Sequence, residues 1–428
     1  MSLPRRPSGL RRSLGWPFLT RRHLILNRKY LIPLLALMLA PIDVFAQADT
    51  GAPPTTTRLR FGPLYVNPVV ALTNAGIDNN VFNEPDSEGP KRDFTMTVTP
   101  AADMWLRLGP SWLRGNIKED LLYFQTYSSQ NSANTSFSVN WVMPFNRLTI
   151  NPGLAYLNTN DRPGFEIDTR APRVEVDYNG MLEYRLGSKT FVGARIDQRT
   201  TDFAPGQEFN GTNLNQELNR TVTTAGFTVR YQATPLTSVN FETTREEDRF
   251  EFSPLRDTDS TLFTGGLKFD PAALLKGSAT FGYRDFRPLS SDVPGYQGSI
   301  AAVNLSYVPL STTLLSGTYV RDVQYSYDVN QPYYLQTGGG ASISQQVFGP
   351  VDVVGRIGVQ RLEYRVRTDA PVDPNRVDHV TTYGGGVGYH MGSDLRIGFN
   401  VDQYRRRSEI ESNQYTGLRY GFSVTYGL

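Results

Sequence analysis

From Leu64 to the C terminus the chain alternates apolar with small or polar residues, and the last fourteen residues show the pattern most cleanly. Leu418, Tyr420, Phe422, Val424, Tyr426 and Leu428 fall on one side, and Gly417, Arg419, Gly421, Ser423, Thr425 and Gly427 on the other. Side chains alternate across a strand with period two, so this segment predicts a strand with one apolar and one polar face. The same split recurs upstream. Val174, Val176, Tyr178, Leu182 and Tyr184 oppose Arg173, Glu175, Asp177, Asn179 and Arg185, and Leu395, Ile397, Phe399 and Val401 oppose Arg396, Gly398, Asn400 and Asp402. A dry core rejects the second set, and a sheet facing water has no need to repeat the first so often. Lipid outside and water inside satisfies both.

Short turn signals such as Leu108-Gly109-Pro110, Pro144-Phe145-Asn146, Phe348-Gly349-Pro350 and Met391-Gly392-Ser393 recur about every 40 residues. Between them run a strand, a longer polar loop and a returning strand. The prediction is an all-β, transmembrane, antiparallel up-and-down β-barrel of about eighteen strands, or sixteen if one weak pair is misread. Such barrels keep their tight turns periplasmic and their long loops outside. The connections 76–91, 158–172 and 201–219 are therefore expected to be extracellular. Charges near the loop ends, as in Tyr283-Arg284-Asp285-Phe286-Arg287, are expected at the outer headgroups, where a charge facing lipid costs little. Glu119 sits too far down its strand for that, and a β-bulge is the expected remedy.

Composition sharpens this reading. The 428 residues include no cysteine, which removes disulfides and thiolate metal sites. The formal charge of +2 misleads, because eight of the 43 basic residues and only one of the 41 acidic residues lie in residues 1–46. The remainder is net acidic, so a nucleic-acid partner has no support. Residues 1–46 read as a signal peptide, with a basic leader, the apolar run Leu31 to Ala40 and small residues for cleavage after Ala46. Residues 47–60 form a short periplasmic tail, and residues 61–428 the barrel.

Inward charges are the candidate functional set: Arg356, Arg396, Arg419, Arg185 and Arg195 beside Glu175, Asp177, Asp197, Asp103 and Asp402. Opposed charges across a water-filled pore order polar solutes and set ion preference, although the same charges could simply pair and fill the barrel. Past the leader only His379, facing outward, and His390, facing the lumen at the other end, remain for acid-base work, so neither catalysis nor a cofactor is expected. Asp78, Asn80, Asn83, Glu84, Asp86 and Glu88 crowd one loop and could offer oxygens to calcium, but Asx-rich turns look the same.

The segment Ala75-Gly76-Ile77-Asp78-Asn79-Asn80-Val81-Phe82-Asn83, the opening Phe61-Gly62-Pro63-Leu64-Tyr65-Val66-Asn67-Pro68 and the closing strand resemble a group of outer-membrane β-barrel porins, some encoded beside exopolysaccharide synthesis and secretion genes. The resemblance implies an outer-membrane channel. The final strand, through Tyr420, Phe422, Val424, Tyr426 and Leu428, also resembles the terminal signal read by the barrel assembly machinery. The expected function is passive diffusion of polar solutes. The alternatives are exopolysaccharide export, with Tyr325, Tyr364 and Tyr404 stacking on sugars at the outer mouth, and a plugged barrel whose loops are structural or adhesive. The expected surroundings are outer-membrane lipids and lipopolysaccharide, in a monomer or homotrimer.

Overall fold

The computed structural model describes residues 52–54, 57–271, 273–373 and 375–427. The expected leader and the terminal Leu428 lie outside the described residues. Eighteen antiparallel strands follow one another around a closed barrel, so the sixteen-strand alternative falls away. They are β1 (Leu64–Asp78), β2 (Asp93–Leu108), β3 (Ser111–Phe124), β4 (Ser132–Phe145), β5 (Leu148–Thr159), β6 (Arg173–Arg185), β7 (Thr190–Phe203), β8 (Arg220–Thr234) and β9 (Thr237–Phe250). The second half comprises β10 (Thr258–Phe269), β11 (Leu275–Pro288), β12 (Tyr296–Leu310), β13 (Thr313–Tyr325), β14 (Tyr333–Phe348), β15 (Val351–Arg365), β16 (Val377–Met391), β17 (Leu395–Arg407) and β18 (Tyr415–Tyr426). The last strand closes on the first, from Val70 opposite Tyr426 to Asp78 opposite Arg419. Closure pairs the first strand with the last, which spares the lipid-facing wall the open edge that a membrane would penalise. Leu59–Phe61 turn back onto Leu64–Val66, so the hairpin begins just inside the expected tail.

Parity follows the sequence pattern. Ile196, Phe241, Phe263, Phe281 and Phe422 all point away from the barrel, each more than half exposed. Transfer of such a side chain from water to hydrocarbon gains about 1.5–3 kcal/mol, so this belt fits lipid and not water. Near the loop ends the outward face turns charged and self-pairs, as in Arg249 with Asp259 (2.7 Å) and Arg361 with Glu363 (2.7 Å).

One local expectation fails. The β2–β3 and β3–β4 registers run without a shift past Glu119, so no bulge turns it inward. It stays on the outer face and accepts a hydrogen bond from Thr135 Oγ1 (2.6 Å) on β4. The register shift lies instead in β1, between Thr73 and Gly76, where Asn74 adopts a left-handed φ of 54°.

The eight strand connections at one end are tight turns. At the other end lie nine loops, here L1 (79–92), L2 (125–131), L3 (160–172), L4 (204–219), L5 (251–257), L6 (289–295), L7 (326–332), L8 (366–376) and L9 (408–414). The apolar core of the molecule sits at this loop end and not between sheets. Ile167 and Ala171 of L3 meet Phe203, Leu214 and Leu218 and Tyr327 of L7, while Phe165 of L3 covers Tyr334, Leu362 and Tyr364. The β12–β13 pairing stops at Ala301 opposite Arg321, although β12 continues to Tyr296 and β13 to Tyr325. Beyond that point Tyr325 and Tyr333 pack on Phe286, with Tyr325 also against Phe250, so the tip of the β13–β14 hairpin leans into the barrel.

Candidate functional site: the lumen and its outer mouth

Side chains of inward parity form cross-strand ion pairs up the wall. Arg396 grips Asp352 with two hydrogen bonds (Nε–Oδ2 2.8 Å, Nη2–Oδ1 2.6 Å), and His390 Nε2 lies 2.7 Å from the same carboxylate. Arg356 reaches Asp402 (2.7 Å), Arg195 reaches both Asp197 (2.8 Å) and Glu242 (3.0 Å), and Arg419 reaches Asp78 (2.6 Å). Glu175 takes Arg173 (2.8 Å) and Asp177 takes Arg199 (3.0 Å). Among the described residues Asp103 accepts only from Asn116 (2.7 Å), and it stays exposed. Arg185 is exposed at the turn end, 3.5 Å from the Asn146 carbonyl. The chosen residues thus share one inner wall, but they form separate pairs at different heights.

The glycine run in β16 has a definite role here. A Cβ on Gly384 would stand 2.1 Å from Asp402 Oδ1, and one on Gly388 would stand 2.3 Å from Arg396 Nη2. These positions let the polar side chains of β17 lie flat against the neighbouring strand, which keeps space in the lumen.

A pair and a triad of the same kind escaped the sequence reading. Glu183 holds Arg230, whose guanidinium stacks 3.8 Å from the Phe191 ring, and Arg284 joins Glu246 (2.7 Å) to Asp322 (3.0 Å). Strand parity contained that signal, since all five charges alternate inward; their partners were set by register, which the sequence leaves open.

The outer mouth differs more. L3 leaves the wall between β5 and β6 and reaches the nearly opposite wall. There the fully buried Arg406 of β17 donates to the Glu166 carbonyl (2.7 Å), to Asp378 (2.6 Å) and to Asp168. Glu166 is itself 1 % exposed, and its carboxylate accepts from Ser326 Oγ (2.6 Å) and the Tyr327 amide (3.2 Å) of L7. Burial pushes its pKa from 4.5 up to about 7, against the opposing pull of Arg376 and Arg406. Arg256 of L5 ties L4 to L7 through Glu217 (3.1 Å) and the Pro332 carbonyl (2.9 Å). The loop end is therefore a knitted lid, and L3 is its crossbar.

This arrangement bears on two of the alternatives. Tyr364 is 1 % exposed beneath Phe165 and Arg376, Tyr325 is wedged between Phe250 and Phe286, and the Tyr404 hydroxyl donates to Asp78 (2.7 Å). Tyr325 and Tyr364 therefore present no free ring face for a sugar, and half-buried Tyr404 lies with one face against Gly417. In the first loop Asp78 accepts from Arg419, Glu84 from Lys91, and Asn80 Oδ1 from the Glu84 backbone amide (2.8 Å), so these oxygens are taken up in holding the loop.

No curated protein matches the sequence. Among solved structures, a BenF-like porin from Pseudomonas fluorescens Pf-5 is similar at TM-score 0.46 and 8% identity, over 85% of this chain and 98% of that one. OccK9 (OpdG) of Pseudomonas aeruginosa is similar at TM-score 0.45 and 11% identity, over 84% and 97%. The FrpB iron transporter of Neisseria meningitidis is similar at TM-score 0.40 and 11% identity over 80% of this chain, which spans 62% of the transporter's length. The family model described as Putative beta-barrel porin 2 matches residues 56–427. That match covers the entire barrel, so the chain belongs to this family and is a porin-like barrel of the bacterial outer membrane.

Proposed function

We propose that the barrel is a channel through which small polar solutes diffuse passively, with the L3 crossbar as its narrowest passage. The observation that carries this reading is the contrast between the two ends. In the turn-end half the inward groups Asp103, Arg107 and Arg185 remain exposed, as in a wet lumen, whereas the loop end is narrowed by a crossbar held through buried charge pairs. Unlike fixed charges beside a narrow aqueous passage select by sign and orient dipolar solutes. Catalysis has no place in this reading, because His390 is bound to Asp352 and His379 faces outward at the opposite end. Polysaccharide export is disfavoured, since a polymer needs a continuous wide passage where L3 crosses. The same reading takes outer-membrane lipid and lipopolysaccharide as the surroundings of the belt, and the assembly machinery as the reader of Tyr420, Phe422, Val424 and Tyr426.

A plugged barrel is the second reading, favoured by the burial of Arg406, Glu166 and Asp378 where L3 meets the far wall. Conductance of the purified protein in planar bilayers decides between them. Steady ion current in the wild type, increased by deleting the crossbar within 161–170, supports the channel. Silence in the wild type with current only after that deletion supports the plug.

A further inference from the structure

Outside the ion-pair ladder, the loop end holds a cavity of about 550 Å³ lined by L1, L2, L3, L4 and L9. Its charged residues are unevenly satisfied. Of the two acidic residues in the lining, Glu84 is taken by Lys91 and Asp168 by Arg406. Among the described residues Arg162 donates to backbone carbonyls, those of Asp168 and of Val81 (2.8 Å), and no carboxylate accepts from it. Arg170 lies against the Phe124 ring at 4.7 Å, with its nearest carboxylate oxygen, Asp161 Oδ1, at 3.6 Å, too long for a hydrogen bond. Its Nε and Nη1 are buried and have no hydrogen-bond partner among the described residues. Asn413, 2 % exposed, likewise has an unpartnered Nδ2. Burial and the neighbouring Arg162 push the Arg170 pKa down to about 10, the mark of a cation short of counter-charge.

We propose that this cavity binds a hydroxylated organic anion, of the sugar-acid class. The anion answers the surplus of cation donors at Arg162 and Arg170. The hydroxyls answer the carboxamides of the lining: Asn83, Asn210 and Asn413 already spend part of their hydrogen-bonding capacity on Asp168, on Tyr327 and on each other, whereas Gln130, Asn160 and Gln207 each bring a donor and an acceptor in one group and so match a hydroxyl in either sense. The volume lies within the range of small-molecule sites and well above what a simple inorganic anion fills. A carboxylate in the cavity beside Arg162 and Arg170 would form a charge-assisted bond with a guanidinium edge and supply the counter-charge that the lining lacks.

Taking this ligand as the transported solute rests on the channel reading, whereas the site itself does not, and equilibrium binding keeps the two apart. The full barrel in detergent is titrated calorimetrically with trigalacturonate and with maltotriose at low salt. Trigalacturonate is expected to bind about tenfold or more tighter than maltotriose. Arg170→Gln and, separately, Arg162→Gln are expected to erase that preference in protein whose heat-modifiable gel migration shows an intact barrel. Equal affinity for the two sugars, binding of neither, or a preference retained in the folded variants would overturn the proposal. A barrel that conducts but does not bind refutes the site alone; one that binds without conducting refutes the channel alone.

Discussion

The burial of Glu166 predicts a crossbar that loosens as the pH rises. Its carboxyl is buried between L7 and the far wall, which raises its pKa from 4.5 to about 7. In a released loop the same carboxyl meets water and titrates near 4.5. The docked state therefore holds the proton more tightly. Docking is favoured fully below about 4.5, loses about 1.4 kcal/mol per pH unit up to about 7, and is constant above. The total is about 3 kcal/mol, or roughly two orders of magnitude in the docked-to-released ratio. Arg376 and Arg406 both face the group and limit the shift, but burial outweighs them.

Replacing Glu166 by Gln removes the titration while preserving the shape and an acceptor for Ser326. Amide exchange of L3 peptides, compared between wild type and Glu166→Gln at the same pH so that intrinsic rates cancel, reads the difference. Near pH 5 the two proteins should be about equally protected, and near pH 9 wild-type L3 should exchange faster by up to about a hundredfold. A ratio that does not change with pH, or a wild type better protected in alkali, would refute the argument that desolvation governs this carboxyl.

Further outcomes follow from the same geometry. Arg406→Met leaves Asp168 and part of Asp378 without a counter-charge, at a cost of about 3–5 kcal/mol; L3 should become protease-sensitive at Arg162 and Arg170 while the barrel keeps its heat-modifiable migration. Asp103→Lys, at an exposed lumen site bonded only to Asn116, should move the reversal potential toward anion preference. Arg396→Glu should instead weaken folding by about 3–5 kcal/mol, because it strips the buried Asp352 of its bidentate partner; equal selectivity shifts and intact folding in both variants would show that burial does not distinguish them. Glu119→Leu should stabilise the barrel by about 1–2 kcal/mol in urea refolding into bilayers, since the carboxylate faces lipid with only Thr135 for a partner. A loss of stability would point to a protein contact on that face.

What the sequence made legible was the part governed by a local rule. Alternation assigns each residue of β18 to one face from its neighbours alone, and Gly/Pro turn signals every 40 residues divide the chain without reference to its three-dimensional form. Partners were less legible, because register is a property of two strands: Arg396 could be placed in the lumen, but not beside Asp352, which lies 44 residues away. The crossbar was hidden more deeply. L3 reads as polar, with Asp161, Arg162, Glu166, Asp168 and Arg170, and such composition ordinarily marks a loop in water. The discordant signal was Phe165, Ile167 and Ala171, three apolar residues in a connection that had no strand face to serve. They bury on walls contributed by β7, β14, β15 and L7, so their meaning appears only once the barrel has closed around them. The sequence of a barrel thus states its wall residue by residue, whereas the crossbar is written in loop residues whose counterparts lie as far as 240 positions away, as Arg406 does from Glu166.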